Sequence, residues 1–499
     1  MLLPLLAVLS QMHYEGDVAE AGGDYVEVEL EVPAGTVEIE IAHDDGDAND
    51  ILDWGVWSPD GFRGWGGGLE DNAIIGVAQS SRSYLAGPIT PGTWRVVIGK
   101  ANIADGDGAH YSIDVECRDN ATLAVLPMGT FDPAPLKTGR QWYRGDFHVH
   151  SDSSGDASAT LSQIAALAKT QRLDFVNISD HNTSSQLPLI AGFQETERDV
   201  LFLRGAEITT YAGHGNSVGT SAYVDHRIGF GGRTINGVLD DVAAQDAIFI
   251  VNHPALELGA NCIGCAWKHA DTDWSKVSGI EVITGKWDLT EPIFTPIALK
   301  MWDEQLDAGH RIAAIGGSDD HRAGMGMGSM DTPIGAPTTL VLADDLSEAS
   351  IKEAIRAGRT IVNLRGPDDP AVEFHLGDAE IGDEVTVDAA TFTIRVVGGD
   401  GMFAQIWRDG ERLVQLDVVG GDWTGTYTDG EVGAHRYRLQ LVEGANRRVV
   451  ITSHIYATVT GRESCCSASP RATLFPLLLV AGATICTRRR RSRGAARAA

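Results

Sequence analysis

Between residues 141 and 365, short apolar runs alternate with stretches of helical period, and this alternation limits the fold more than any other feature. The runs are Phe175-Val176-Asn177-Ile178, Leu201-Phe202-Leu203, Ile248-Phe249-Ile250-Val251, Ile280-Glu281-Val282-Ile283 and Ile312-Ala313-Ala314-Ile315. Between the first motif and the first run, residues 161–171 place Leu161, Ile164, Ala165 and Ala168 on one helical face. Strands without alternation are covered on both faces, so the pattern predicts a parallel sheet clad by helices, and this many units predicts a closed βα barrel.

The flanks have a different texture. Tyr25-Val26-Glu27-Val28-Glu29-Leu30-Glu31-Val32 alternates apolar and acidic residues, and Thr36 to Ile41, Trp94 to Ile98 and Tyr111 to Val115 repeat the period. Period-two segments spaced by turn residues predict a β-sandwich over 24–118. A proline-bearing linker follows over 119–140, and alternation returns in Phe392 to Val396 and Tyr437 to Leu441. The expected plan is a leader over 1–23, a sandwich over 24–118, the barrel over 141–365, a second sandwich over 366–458 and a tail over 459–499. A chain of 499 residues has room for about three such domains. The acidic loop from Asp44 to Asp50 reads as a calcium site or, more simply, as a solvated turn.

The formal net charge is −30 even though the last twelve residues carry six arginines. A body this acidic repels phosphate backbones, so no nucleic-acid partner is expected. The opening MLLPLLAVLSQ reads as the remnant of an export signal or as a buried first strand. Near the other end, Cys465-Cys466 precedes an apolar run over 472–487 and then Arg488 to Arg491. A run this short makes at most a transient membrane contact or a tail anchor. Six cysteines are too few for a disulfide scaffold. Cys262 and Cys265 are open to three readings: a local disulfide, a zinc pair with His269 and Asp271, or free thiols. Trp65, Trp267, Trp274 and Trp287 are candidates for lining a groove or for filling a core.

Chemistry enters with the motifs that follow the apolar runs. In Asp146-Phe147-His148-Val149-His150 the two imidazoles of a strand face one side, about 7 Å apart. The next runs lead into Ser179-Asp180-His181, Arg204-Gly205-Ala206-Glu207, Asn252-His253-Pro254 and Gly316-Gly317-Ser318-Asp319-Asp320-His321. Strand ends of a βα barrel converge on one rim, so ligand-type side chains at five of them converge in space. Imidazole with carboxylate suits zinc, manganese or iron, and carboxylates bridge ions. Bound divalent ions bring the pKa of water towards neutrality and so supply hydroxide.

These motifs together resemble the PHP (polymerase and histidinol phosphatase) superfamily. The resemblance is nearest to its CehA/McbA type, whose leading sandwich pattern is similar to Leu52-Asp53-Trp54-Gly55-Val56, Gly61 to Gly67 and Gly87 to Trp94. It implies a distorted (β/α)7 barrel flanked by two β-sandwich domains. It also implies two or three divalent ions held by His148, His150, His181, Glu207, His214, His253, Asp319 and His321, with Glu207 bridging. The usual Ser-Asp-Gly after the paired histidines is Ser154-Gly155-Asp156 in this chain. Asp156 is the candidate for the remaining ligand and Asp152 the alternative. Asp320 and Arg322 are candidates for orienting a ligand histidine and clamping a substrate anion, and Asp180 for a supporting role. The tail resembles surface-sorting signals of the MYXO-CTERM type, which implies an exported chain, an envelope location and a sorting protease as partner.

The expected function is hydrolysis of a phosphoester on a small molecule or an exposed group. Carboxylester or carbamate hydrolysis on the same site, or a non-catalytic envelope binding protein, are the alternatives.

Overall fold

The computed structural model describes residues 8–46, 49–104, 108–259, 262–328, 331–444 and 446–461. Residues 1–461 form one compact unit. The tail with Cys465, Cys466 and the apolar run lies outside the described residues. Among the described residues no helix is long and apolar enough to cross a membrane.

Two four-stranded antiparallel sheets make the N-terminal part. One runs Val8–Val18, Ala109–Arg118, Glu38–Asp44, Ala73–Gly76, and the other Tyr25–Val32, Gly92–Asn102, Ile51–Ser58, Gly61–Gly67. Along Tyr25–Val32 the valines and Leu30 are turned inward while Glu27, Glu29 and Glu31 stay in water, as alternation dictates. Leu30, Ile39, Ile41, Trp94 and Ile113 form the core between the sheets. Pairing begins earlier than the leader boundary at 23 allows. Residues 8–18 are an edge strand, with Met12 opposite Val115 and Tyr14 opposite Ile113. The Asp44–Asp50 loop falls partly outside the described residues; within them Asp44 accepts the Gly46 N–H at 2.7 Å.

The middle of the chain is one long sheet. Thr138–Val149, Phe175–Ile178 and Leu201–Thr210 are parallel, as are Ile248–Val251, Val277–Thr284 and Ala313–Gly317. Phe175–Ile178, Ile248–Val251 and Ala313–Gly317 are buried throughout, which is why no alternation marks them. Helices such as Leu161–Thr170, opened by a Thr160–Gln163 capping box, bury Ile164, Ala165 and Ala168 as expected.

The order departs from a regular (β/α)7 barrel in two ways. Gly213–Val218 is an antiparallel strand between the two parallel sets, reached from Leu201–Thr210 by a tight hairpin rather than a helix. Helices are few, six α-helices among the described residues, one of them the four-residue Trp287–Thr290. The sheet nevertheless curls back on itself. Beyond Ala313–Gly317 the Asp319 N–H donates to His148 O at 2.9 Å and the His150 N–H to Asp320 O at 3.0 Å.

Residue 365 is not a break in the pairing. Thr338–Asp345 and Thr360–Asn363 carry the sheet on to Arg447–Thr452 and Gly433–Glu443. A separate three-stranded sheet, Ala371–Leu376, Ala390–Val397 and Asp422–Asp429, packs over them through Phe374, Phe392, Ile394 and Leu439. The chain is thus mixed α/β and rich in sheet.

The N-terminal sheets are seated on the middle part by aromatic contacts. Phe62 stacks on Tyr223, Tyr25 stacks on Tyr211, and the Arg227 guanidinium lies 4.0 Å from the Trp57 ring centroid. Hydrogen bonds from Ser83 to Ser153 O and from Thr183 to Ser83 O fix the same seam.

Candidate metal centre

The strand ends bring the motif residues to one place. His148 closes Thr138–Val149 and His150 follows it; both are fully buried, with ring centroids 5.1 Å apart. His181 lies just beyond Phe175–Ile178, and His253 and Asp319 sit at sharp turns off Ile248–Val251 and Ala313–Gly317. Those two turns carry positive φ, 25° at His253 and 60° at Asp319, a costly backbone region for residues with side chains. Three of the expected ligands are not at strand ends, Asp156 being in the turns before Leu161–Thr170. Glu207 is inside Leu201–Thr210, and His214 is inside Gly213–Val218, directly opposite Thr209.

Glu207 is the hub. Its Oε2 lies 3.1 Å from His181 Nδ1, 3.3 Å from His148 Nε2 and 3.6 Å from His150 Nε2. Its Oε1 lies 3.2 Å from His253 Nε2 and 3.4 Å from His214 Nδ1, and accepts from Asn252 Nδ2 at 2.9 Å. Asp319 Oδ1 is 3.1 Å from both His148 Nε2 and His150 Nε2. Asp156 Oδ2 is 3.2 Å from both His181 Nε2 and His321 Nε2. Three groups of donor atoms result, each within 4.8 Å: His150, Asp156, His181 and His321; His148, His150, Glu207 and Asp319; His214, His253 and Cys265. All nine expected ligands belong to this one assembly. Asp152, the alternative to Asp156, is in none of the groups and lines a neighbouring cavity. The swapped order of Gly155 and Asp156 has a steric reason: a Cβ at 155 would lie 2.5 Å from Gly66 O in the N-terminal sheet.

Outer partners fix which imidazole nitrogen faces inward. His148 Nδ1–H donates to Glu281 Oε1 at 3.0 Å, His321 Nδ1–H to Asp319 O at 2.8 Å, and His253 Nδ1–H to Cys265 O at 3.1 Å. His214 Nε2–H donates to Ile263 O at 3.0 Å. His148 Nε2, His150 Nδ1 and Glu207 Oε2 are buried and have no hydrogen-bond partner. Buried polar atoms in proteins are as a rule paired, so imidazole and carboxylate atoms left unpaired within one ligand cluster fit divalent cations.

The electrostatics agree. Burial works to raise the carboxyl pKa values of Glu207, Asp319 and Asp156, yet the surrounding imidazoles hold all three well below the usual range. Burial pushes His150 down to about 3, helped by neighbouring His321 and His181. For His181 and His321 burial opposes protonation, but Asp156 outweighs it and raises them to about 9 and about 10. Without an ion these imidazoles therefore hold protons at neutral pH, and an ion must displace them. Ion uptake will release protons, and affinity will fall as pH falls. Titration calorimetry in buffers of different ionisation heat measures this, and a heat independent of buffer would contradict it.

Two candidates have other work. Asp320 contacts no ligand imidazole; its carboxylate accepts the N–H groups of Arg322, Gly324 and Ile334 and shapes that loop. Arg322 is exposed, its guanidinium donates to Gly326 O at 2.7 Å, and it is not among the residues lining the space around the centre. Arg322→Ala should leave kcat/KM within about twofold, in line with a surface change. A hundredfold loss in the same assay would restore the clamp. Asp180 is buried and binds the Ser151 N–H and hydroxyl, holding the turn after His150; burial pushes it up to about 7.

Other residues were not legible as site residues. Glu281, in Val277–Thr284, accepts from His148, from the His253 N–H at 2.8 Å and from Thr284 at 2.6 Å. Asp146 accepts from the His148, Ser318 and Gly335 N–H groups. A charge inside a wholly apolar run, and an acid opening the paired-histidine motif, were the signals available.

The centre opens into a cavity of about 750 Å³ whose far wall is the N-terminal sheet: Asp53, Trp65 to Asp71 and Arg82. Arg82 donates to Ala157 O and pairs with Asp71 at 2.7 Å. Asp53, which burial pushes up to about 6, accepts from the Tyr211 hydroxyl at 2.8 Å. Of the four tryptophans, Trp65 lines the cavity, while Trp267, Trp274 and Trp287 pack on the core. Cys262 and Cys265 are disulfide-bonded, and His269 turns to Thr210 instead, so the zinc pair is not formed.

No protein-family model matches the chain, and no curated protein sequence does. Among solved structures it is similar to a two-domain protein from Bacteroides vulgatus containing a predicted PHP-like metal-dependent phosphoesterase. The two are 17% identical, over 67% of this chain and 100% of that one, with a TM-score of 0.37. A second, from Bifidobacterium adolescentis, is provisionally described as a metal-dependent phosphoesterase. It is 14% identical over 43% of this chain and 94% of its own, with a TM-score of 0.28. Overlaps this loose carry nothing about chemistry. The side chains carry it: six imidazoles and two aspartates gathered around one glutamate can hold a cluster of divalent cations.

Proposed function

We propose that this chain is a metal-dependent hydrolase of the PHP superfamily, with a distorted barrel, acting on a phosphoester of a small molecule. The observation that carries the reading is Glu207, whose two oxygens face different sets of imidazoles, as a carboxylate shared between ions must. Manganese, zinc or iron suits the nine donors, and two or three ions suit their grouping. Bound there, such ions supply an activated water and polarise the ester oxygen.

The protein's own part is to hold and enclose. Outer hydrogen bonds hold four of the imidazoles in one tautomer. The N-terminal sheet walls the cavity, which favours a small substrate over a long polymer. Arg82, which lines that wall, takes the anion-binding role expected of Arg322. We place the protein outside the cytoplasm, in the envelope or at the surface. The disulfide and the order of Cys pair, apolar run and arginine cluster support this, and the same order supports a sorting protease as partner.

Metal analysis of the full chain, with turnover measured on phosphomonoester, phosphodiester, carboxylester and carbamate reporters, tests the reading. Fastest turnover on a phosphoester supports it. Fastest turnover on a carboxylester or carbamate keeps the centre and moves the substrate class. Bound metal without any turnover would make the protein a binding module.

A further inference from the structure

The third donor group contains a sulfur that the hydrolytic reading does not use. Cys265 is buried, and its Sγ lies within 4.8 Å of donor atoms of His214 and His253. In the structure that sulfur is bonded to Cys262, which lines the cavity. The same short loop holds both histidines through its carbonyls, His214 on Ile263 O and His253 on Cys265 O.

We propose that the Cys262–Cys265 disulfide masks a metal ligand, and that its reduction adds Cys265 Sγ to His214 and His253 as a third donor for a zinc-like ion. This rests on the metal-centre reading and extends it to a second redox form of the site. A dithiol reductant supplies two electrons and two protons. The S–S bond breaks, two thiols form, and the reductant leaves as its own disulfide. An ion then replaces the proton on Cys265 Sγ, which passes to solvent.

Cys265 keeps its place after the bond opens, because its neighbours are fastened separately. Gly264, at a φ of 73°, sits where a Cβ would lie 2.3 Å from Thr210 O, so the loop is pressed against the strand. Trp267 N–H donates to Pro254 O and Lys268 N–H to Ala212 O. With sulfur masked the group offers two imidazoles beside Glu207 Oε1, which accept manganese, iron or zinc; with thiolate added it favours zinc. The ion carried would then depend on whether the chain met metal in a reducing or an oxidising compartment.

Cobalt(II) reads this directly, since thiolate ligation gives a near-ultraviolet charge-transfer band separate from the visible ligand-field bands. The full chain is used with Cys465, Cys466 and Cys486 changed to serine, so that tail thiols do not contribute. The oxidised protein, the dithiol-reduced and desalted protein, Cys262→Ser and Cys265→Ser are compared. The expected result is ligand-field bands in all four. The charge-transfer band appears on reduction and in Cys262→Ser, at about one thiolate per protein, and is missing from the oxidised form and from reduced Cys265→Ser. Cobalt bound without that band in either thiol form overturns the inference and leaves the metal centre standing. A band that persists in reduced Cys265→Ser overturns it too. Failure of every form to bind cobalt overturns the centre and the inference together.

Discussion

Glu207→Gln abolishes turnover and strips the protein of most of its metal, the largest single effect expected of any substitution. The change keeps the side chain's size, so packing around the strand Leu201–Thr210 is preserved. It removes the negative charge and puts an amide NH2 where one oxygen faces imidazole nitrogens. Five histidines lie within 3.6 Å of the two carboxylate oxygens. An amide nitrogen has no lone pair for a cation, so the shared position between ions is lost. Removing an outer hydrogen-bond partner of a ligand typically costs about 10- to 100-fold in affinity or activity, and loss of the bridge should exceed that. Metal content by elemental analysis and kcat/KM on the best reporter measure it together. A variant that retained its metal and its rate would remove the basis for the proposed function.

Glu281→Ala is the second. It does not itself line the cavity, yet its carboxylate accepts His148 Nδ1–H, the His253 N–H and the Thr284 hydroxyl. Alanine frees the His148 ring to rotate or change tautomer and leaves the left-handed turn at His253 without its anchor. Metal affinity should drop by about 10- to 100-fold. Stability should drop by about 2–3 kcal/mol, the scale of a buried hydrogen bond to a charged group. Chelator competition and urea unfolding separate the two effects. Glu281→Gln, which keeps one accepting oxygen of the two, should fall between alanine and the parent chain. Unchanged affinity in the alanine variant would mean that His148 is held by packing alone.

Much of the centre was legible because its residues follow apolar runs in the sequence. His181, His253, Asp319 and His321 stand past apolar runs, where local pattern gives both the strand and its end, while His148 and His150 were read from their own i, i+2 spacing. His214 was reached only through resemblance, because Gly213–Val218 reads as loop: two glycines, an asparagine and a histidine carry no strand signal, and pairing on both sides makes the strand. Asp320 and Arg322 were read by proximity to the last motif, whereas the loop folds them onto its own backbone amides. Glu281 was hidden by its neighbours, since three isoleucine and valine side chains announce a strand and say nothing of what one acid within it holds. The N-terminal boundary failed for a related reason. Alternating exposure along residues 8–18 depends on a partner strand about a hundred residues away. The far wall of the cavity was out of reach by the same logic, since no local period says which sheet will lean over which rim.

That wall separates two properties of the protein along its sequence. The donors that make a bond breakable lie between residues 148 and 321, while the surface a substrate meets opposite them belongs to residues 51–101. Changes at the side chains of Leu69, Glu70 and Asp71 can therefore alter which molecules are admitted without replacing a single ligand. Removing the N-terminal sheets while keeping residues 138–461 together should give the opposite: a cluster on an open face, less choosy about its substrates and readier to lose its ions to water.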